Sequence, residues 1–128
     1  MRRVLAGGIL VLVVSCSSSD PPGASCPSDL PSSCPMPVPS YTTDIVPIIQ
    51  GYCYPCHGPG GIEQAQFDYT SYMGVYRSKS SILDQVYSCQ MPPLNGVDSG
   101  IDAGPATALP ESTRVTLLSW LVCGAPEN

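Results

Sequence analysis

The chain has 128 residues, enough for one domain, and a formal net charge of −5. Arg2 and Arg3 precede an apolar run and look removable with it; beyond them only Arg77, Lys79 and Arg114 face ten carboxylates, a balance of −7. That excludes nucleic acid as a partner, because phosphates need Lys and Arg to neutralise them; it leaves a basic protein partner or a merely solvated acidic surface.

The first element is an export signal. Met1-Arg2-Arg3 is a basic head, and Val4 to Val14 is almost wholly apolar. The run is shorter than the ~20 residues of a spanning helix and fits the apolar core of a signal peptide over 1–15. It ends V-V-S-C at 13–16, which resembles a bacterial lipobox. The resemblance implies that Cys16 becomes the lipidated first residue of the mature chain; ordinary signal cleavage near Ser15 is the alternative. Ser17 stands where an inner-membrane retention signal would have Asp, which favours the outer membrane. One acyl chain anchors only marginally, so the multiple acylation of this class would make the hold stable.

Residues 16–40 read as a lipid anchor and tether. Pro and Ser dominate, and no apolar period survives. Such a segment buries too little to offset its ordering entropy, and its prolines favour extended conformations. Cys26 and Cys34 lie within it.

The ordered domain is expected over 41–128. Ile45, Ile48, Ile49 and Tyr52 follow the i, i+3, i+4, i+7 spacing of one helical face. Asp44 suits the N-cap, which places Pro47 at the third helical position, where its missing N–H breaks no bond. This helix leads into Y-C-Y-P-C-H-G at 52–58, and Gly58-Pro59-Gly60-Gly61 then breaks it.

Residues 71–88 offer two helical pieces. Tyr72, Val75 and Tyr76 line one, Ile82, Leu83, Val86 and Tyr87 the other, and the serines at 78–81 divide them and cap the second. C-Q-M-P-P cannot continue a helix. The Gly- and Asp-rich 94–109 reads as a long loop. Asp98 and Asp102 within it do not match the spacing of a cation loop. A last helix runs from about Pro110 to Cys123 with Val115, Leu118, Leu121 and Val122 on its apolar face, and Gly124 and Pro126 stop it. No alternating strand pattern and no internal repeat compete. The fold class is therefore all-α, three to five helices.

The chemistry gathers at Cys53-x-x-Cys56-His57, which includes the chain's only histidine. This is the spacing of c-type haem attachment. Two intervening residues let both thiols reach the vinyl groups along one porphyrin edge, and the next residue projects its imidazole toward the iron. A disulfide or a redox-active thiol pair beside an ordinary histidine is the competing reading.

With these residues in place, the chain resembles a small class I cytochrome c domain of bacterial exported lipoproteins. The matching stretches are I-V-P-I-I-Q-G-Y-C-Y-P-C-H-G, D-Y-T-S-Y-M-G-V-Y, C-Q-M-P-P and L-L-S-W-L-V-C-G-A-P, which together span residues 44–126. The first and third are the specific ones. The resemblance implies a cytochrome c-like fold around one covalent haem c. Cys53 and Cys56 would carry the thioethers, and His57 and Met91 would be the axial iron ligands. The Pro59 carbonyl would orient the imidazole, as partners of ligating histidines commonly do.

Met91 also has a case of its own. A thioether suits electron transfer, and Met/His ligation raises the reduction potential. Pro92 and Pro93 stiffen the backbone behind it. Of the other methionines, Met1 lies in the leader and Met36 in the tether, and Met73 sits among tyrosines on a helix, where packing is the ordinary role.

Seven cysteines are an odd number. With Cys16 assigned to lipid and Cys53 and Cys56 to haem, four remain for an oxidising compartment to pair, in any of three ways. The favoured pairing is Cys89–Cys123, tying the Met91 segment to the last helix, with Cys26–Cys34 closing a small loop in the tether. Trp120 is read as core, with the haem edge as the other possibility.

The function expected is a monohaem electron carrier, not an enzyme, that serves unidentified redox partner proteins from a lipid anchor at the cell envelope, facing the periplasm or the cell surface. A haem would also enlarge the core of a domain of about 88 residues, which is small for independent stability. The rivals are a thiol–disulfide oxidoreductase using Cys53 and Cys56, for which the usual βαβ surroundings are missing, and a haem sensor or docking module. A zinc site is poorer, because adjacent Cys56 and His57 are not the spacing of a closed tetrahedron.

Overall fold

The computed structural model describes residues 26–92 and 109–128. The expected signal peptide, the lipidation cysteine Cys16, most of the 94–109 loop and its Asp98 and Asp102 lie outside the described residues. Among the described residues every regular element is helical and none is a strand. No helix there is long and apolar enough to cross a membrane.

The first helix, α1, is a continuous run over 41–57 made of four pieces: Tyr41–Ile45 (π), Val46–Ile48 (α), Ile49–Cys53 (π) and Tyr54–His57 (α). It starts earlier than Asp44. Ser40 is the N-cap and accepts from the Thr43 N–H at 3.4 Å, while Asp44 reaches back to accept from the Ser40 N–H at 2.7 Å. Two donors at the helix start are thereby satisfied reciprocally. Pro47 thus lies well inside the helix, where it would cost a hydrogen bond and clash with the preceding turn. The chain answers with a π-helical turn just before it, closed by Val46 N–H to the Tyr41 carbonyl. The same solution recurs before Pro55, where Tyr54 N–H reaches the Ile49 carbonyl. Each proline is the second residue of an α-helical piece that follows a widened turn.

Ile45 and Ile49 are fully or almost fully buried, as their helical spacing predicts. Helices α2 (Tyr72–Arg77) and α3 (Lys79–Tyr87) meet at Ser78, which divides them where the serine cluster predicted, although its side chain makes no cap. Ser71 caps α2 by accepting from Gly74 N–H at 3.2 Å.

Helix α4, Glu111–Val122, packs on α3 and on the first turn of α1. Its buried face is wider than predicted: Leu117, Leu118, Trp120 and Leu121 are buried, while Val115 and Val122 are half-buried. Trp120 is core: it has no exposure, stacks on Tyr41 at 5.6 Å, and donates its indole N–H to the Pro126 carbonyl at 3.0 Å. Gly124 ends α4 with φ +87°, and the N–H groups of Gly124 and Ala125 close on the carbonyls of Leu121 and Trp120. This is the left-handed stop that the sequence placed at Gly124.

Two expectations are corrected here. The cysteines pair crosswise, Cys26–Cys89 and Cys34–Cys123, not Cys26–Cys34 and Cys89–Cys123. For the same reason residues 26–40 are no loose tether; they are strapped over α3 and α4. Composition weighed their low apolar content correctly but could not register two covalent bonds, which remove the entropy cost that leaves such segments free. A partly buried ion pair adds to the strap: Asp29 takes the Arg114 guanidinium through both carboxylate oxygens, at 2.8 and 2.9 Å.

Candidate functional site

A cleft of about 290 Å³ opens where the end of α1, the loop after it and α3 converge. Cys53, Cys56 and His57 form one wall, Phe67 and Tyr69 stand beside them, and Ile82 and Val86 of α3 face in, with Met91 and Leu109 completing the lining. Among the described residues no Asp, Glu, Lys or Arg lines it, and its few polar groups include Ser81 and Gln85. The size is near the low end of small-molecule sites, and the apolar lining with few polar groups is typical of them.

The wall is positioned by the chain just after it. Gly58 to Gly61 form a turn closed by Gly61 N–H to the Gly58 carbonyl at 2.9 Å, with Gly60 at φ +78°. Pro59 precedes that left-handed position, the arrangement of a type II turn. The turn folds residues 61–69 back over the helix end, where Glu63 N–H meets the Cys56 carbonyl at 2.9 Å and Tyr69 N–H the His57 carbonyl at 3.1 Å.

His57 is held at one ring edge and on one face. Its Nδ1 lies 3.3 Å from the Phe67 carbonyl, which accepts the ring N–H in that tautomer, and its face stacks on Tyr69. The carbonyl is that of Phe67, not the Pro59 carbonyl expected from the resemblance; Pro59 is exposed in the turn and shapes the backbone instead. The fold-back of the loop sets which carbonyl arrives at Nδ1. Burial pushes the His57 pKa below its ordinary value, with the Phe67 hydrogen bond working against it. The imidazole is therefore neutral near pH 7, with Nε2 left as the nitrogen able to bind a metal.

Cys53 and Cys56 are not joined to each other; they are the free cysteines among the described residues, while the other four are all in disulfides. Burial, and secondarily the neighbouring Cys56, push the Cys53 thiol up to about 12. It is a neutral thiol, unlike the lowered thiolate of a redox-active pair. Among the described residues no three His, Cys, Asp or Glu side chains gather as a cation site.

Met91 lines the cleft but stays 47 % exposed. Met73, also exposed, and Met36 do not line it. Trp120 does not reach it either. The residue that sequence reasoning missed is Arg114, counted there only as a charge. It is buried behind the Met91 turn, bonded to the carbonyls of Val86 and Tyr87 as well as to Asp29. A lone Arg on a helix otherwise read for its apolar face carries no sign of such a role.

The donor set suits a covalently held porphyrin: two unpaired thiols two residues apart, an oriented neutral imidazole and a thioether share one apolar cleft. Comparison of the chain with protein-family models, curated proteins and solved structures finds no match.

Proposed function

We propose that the protein is a monohaem c-type cytochrome that passes single electrons at the bacterial cell envelope, anchored by lipid at Cys16. The observation that carries the reading is the unpaired state of Cys53 and Cys56 beside an oriented His57, in a chain whose other described cysteines all pair. Cys53 and Cys56 supply the thiols for two thioethers. Phe67 and Tyr69 hold the imidazole with Nε2 free, so that Nε2 and the Met91 thioether would be the groups that hold the iron. The haem iron, when bound, carries the one-electron redox change.

Among the described residues the rest of the lining is mostly apolar, with no carboxylate, Lys or Arg, which suits electron transfer better than bond chemistry. A thiol–disulfide oxidoreductase is disfavoured because the described residues are all helical, without the βαβ surroundings usual for such a pair, and because burial raises the Cys53 pKa when attack needs a thiolate. The export signal and Cys16 rest on the sequence pattern alone, and the redox partners are other proteins of the envelope.

A denaturing gel stained for haem decides the matter, using protein exported from a host with working cytochrome maturation. Colour that survives denaturation supports the reading. A colourless chain with Cys53 bonded to Cys56 ends it and leaves the oxidoreductase.

A further inference from the structure

The turn that carries Met91 is held from behind. Helix α3 ends in a left-handed stop, with Cys89 at φ +58° and Gln90 N–H returning to the Gln85 carbonyl at 2.9 Å. Glycine is the usual residue there, and a side chain in that conformation has a cost. Cys89 occupies the position and bonds to Cys26 across a separation of 63 residues.

We infer that residues 26–29 form a brace that, through Arg114 as the central positioning residue, holds Met91 at the cleft; this rests on the haem reading above. The Arg114 guanidinium has five N–H donors. Nε and Nη2 engage Asp29, Nη1 reaches the Val86 carbonyl and lies 3.3 Å from Cys89 Sγ, and Nη2 meets the Tyr87 carbonyl at 2.9 Å. Pro27 adds a carbonyl at 3.4 Å. One cation thus binds the strap, the open carbonyl end of α3 and the cysteine two residues before Met91. A cation at a helix C-terminus is also favoured by the helix dipole.

Met91 lies between the two features. Besides the cleft it lines a smaller cavity of about 120 Å³ whose walls include Pro27, Cys89 and Arg114. Its amide is tied to the Gln85 carbonyl at 3.1 Å, so the geometry of the α3 stop passes directly to the thioether. At 47 % exposed, Met91 is only partly held by the groups it lines, and the brace adds a restraint at the backbone just before it. The second disulfide, Cys34–Cys123, joins the strap to the end of α4 and does not touch the turn.

The test uses the full chain matured with haem. Cys26→Ser/Cys89→Ser and Arg114→Gln loosen the brace, and Cys34→Ser/Cys123→Ser removes the other disulfide as a control. Two readouts are followed: the methionine-to-ferric-iron absorption band, and Met91 sulfoxide formation under dilute peroxide, measured by mass spectrometry against Met73 in the same molecule. Both brace variants keep covalent haem, lose at least about half of the band, and oxidise Met91 about tenfold faster with Met73 unchanged. The control keeps the band and the wild-type rate. Should Arg114→Gln not fold, Asp29→Asn takes its place with the same expected direction. A band and Met91 rate indifferent to the brace, or lost equally in the control, overturn the inference alone. A wild type without covalent haem overturns the functional reading and this inference with it.

Discussion

The imidazole of His57 lies against the ring of Tyr69, centroids 4.5 Å apart and planes 25° from parallel. Tyr69 is 8 % exposed and belongs to the core cluster, so the iron-ligand candidate leans on the hydrophobic core itself. Tyr69→Ala should cost about 3–5 kcal/mol in a denaturant titration, and Tyr69→Phe, which keeps the ring, under about 1.5 kcal/mol. Equal losses would mean that the hydroxyl and not the stack matters.

Gly61 and Gly51 make opposite forecasts. A Cβ at Gly61 would lie 2.2 Å from the Cys56 carbonyl oxygen, whereas one at Gly51 meets nothing within 4 Å. Gly61→Ala must push the loop off the Cys56-His57 backbone, so a loss of roughly 1–3 kcal/mol and a lower yield of covalent haem are expected. Gly51→Ala should be neutral or stabilise by up to about 1 kcal/mol, since alanine is the better helix residue. Thermal melts and haem-to-protein ratios of both variants check the pair.

Under the proposed function, Met91→Ala should keep the covalent haem that Cys53 and Cys56 would hold, but lose the methionine-to-ferric-iron band and lower the reduction potential. Reduced protein should then bind carbon monoxide. An unchanged spectrum would remove Met91 from the site.

Asp29 sets an acid limit. The Arg114 hydrogen bond, followed by its charge, holds the carboxyl below the ordinary 3.8 against the opposing effect of burial. A depressed folded pKa contributes stability that is complete above the unfolded value and is lost as pH falls through the folded one. Wild type should therefore exceed Asp29→Asn near neutrality, with the gap closing below about pH 3.8. Deleting one partner of a fully buried pair costs about 3–5 kcal/mol, an upper bound here because Asp29 is only partly buried and asparagine keeps an acceptor. Unfolding midpoints from pH 7 to pH 2 measure the convergence.

Trp120 should matter for stability and not for colour. Trp120→Ala removes a fully buried side chain, its stack on Tyr41 and its bond to Pro126, a loss of about 3–5 kcal/mol. The visible spectrum of the folded variant should match wild type. A changed band would place the indole nearer the cleft than its neighbours indicate.

Much of this molecule was legible in its residues. The helical faces of 45–52, the break at Gly58, the division at Ser78 and the stop at Gly124 depend on neighbours within a few positions, where side-chain period and backbone preference act directly. So does the adjacency of Cys53, Cys56 and His57. The early start of α1 at Ser40 was missed because Pro47 looked like a first-turn residue; a π-helical turn let it sit deeper.

Which carbonyl meets His57, which cysteines join and what Arg114 holds were decided by tertiary structure alone. Each is a meeting of groups far apart in the chain: Asp29 with Arg114, Cys26 with Cys89, Cys34 with Cys123. Spacing and composition are silent on such meetings, because a bond of that kind forms only once the helices have packed and brought both ends to one place.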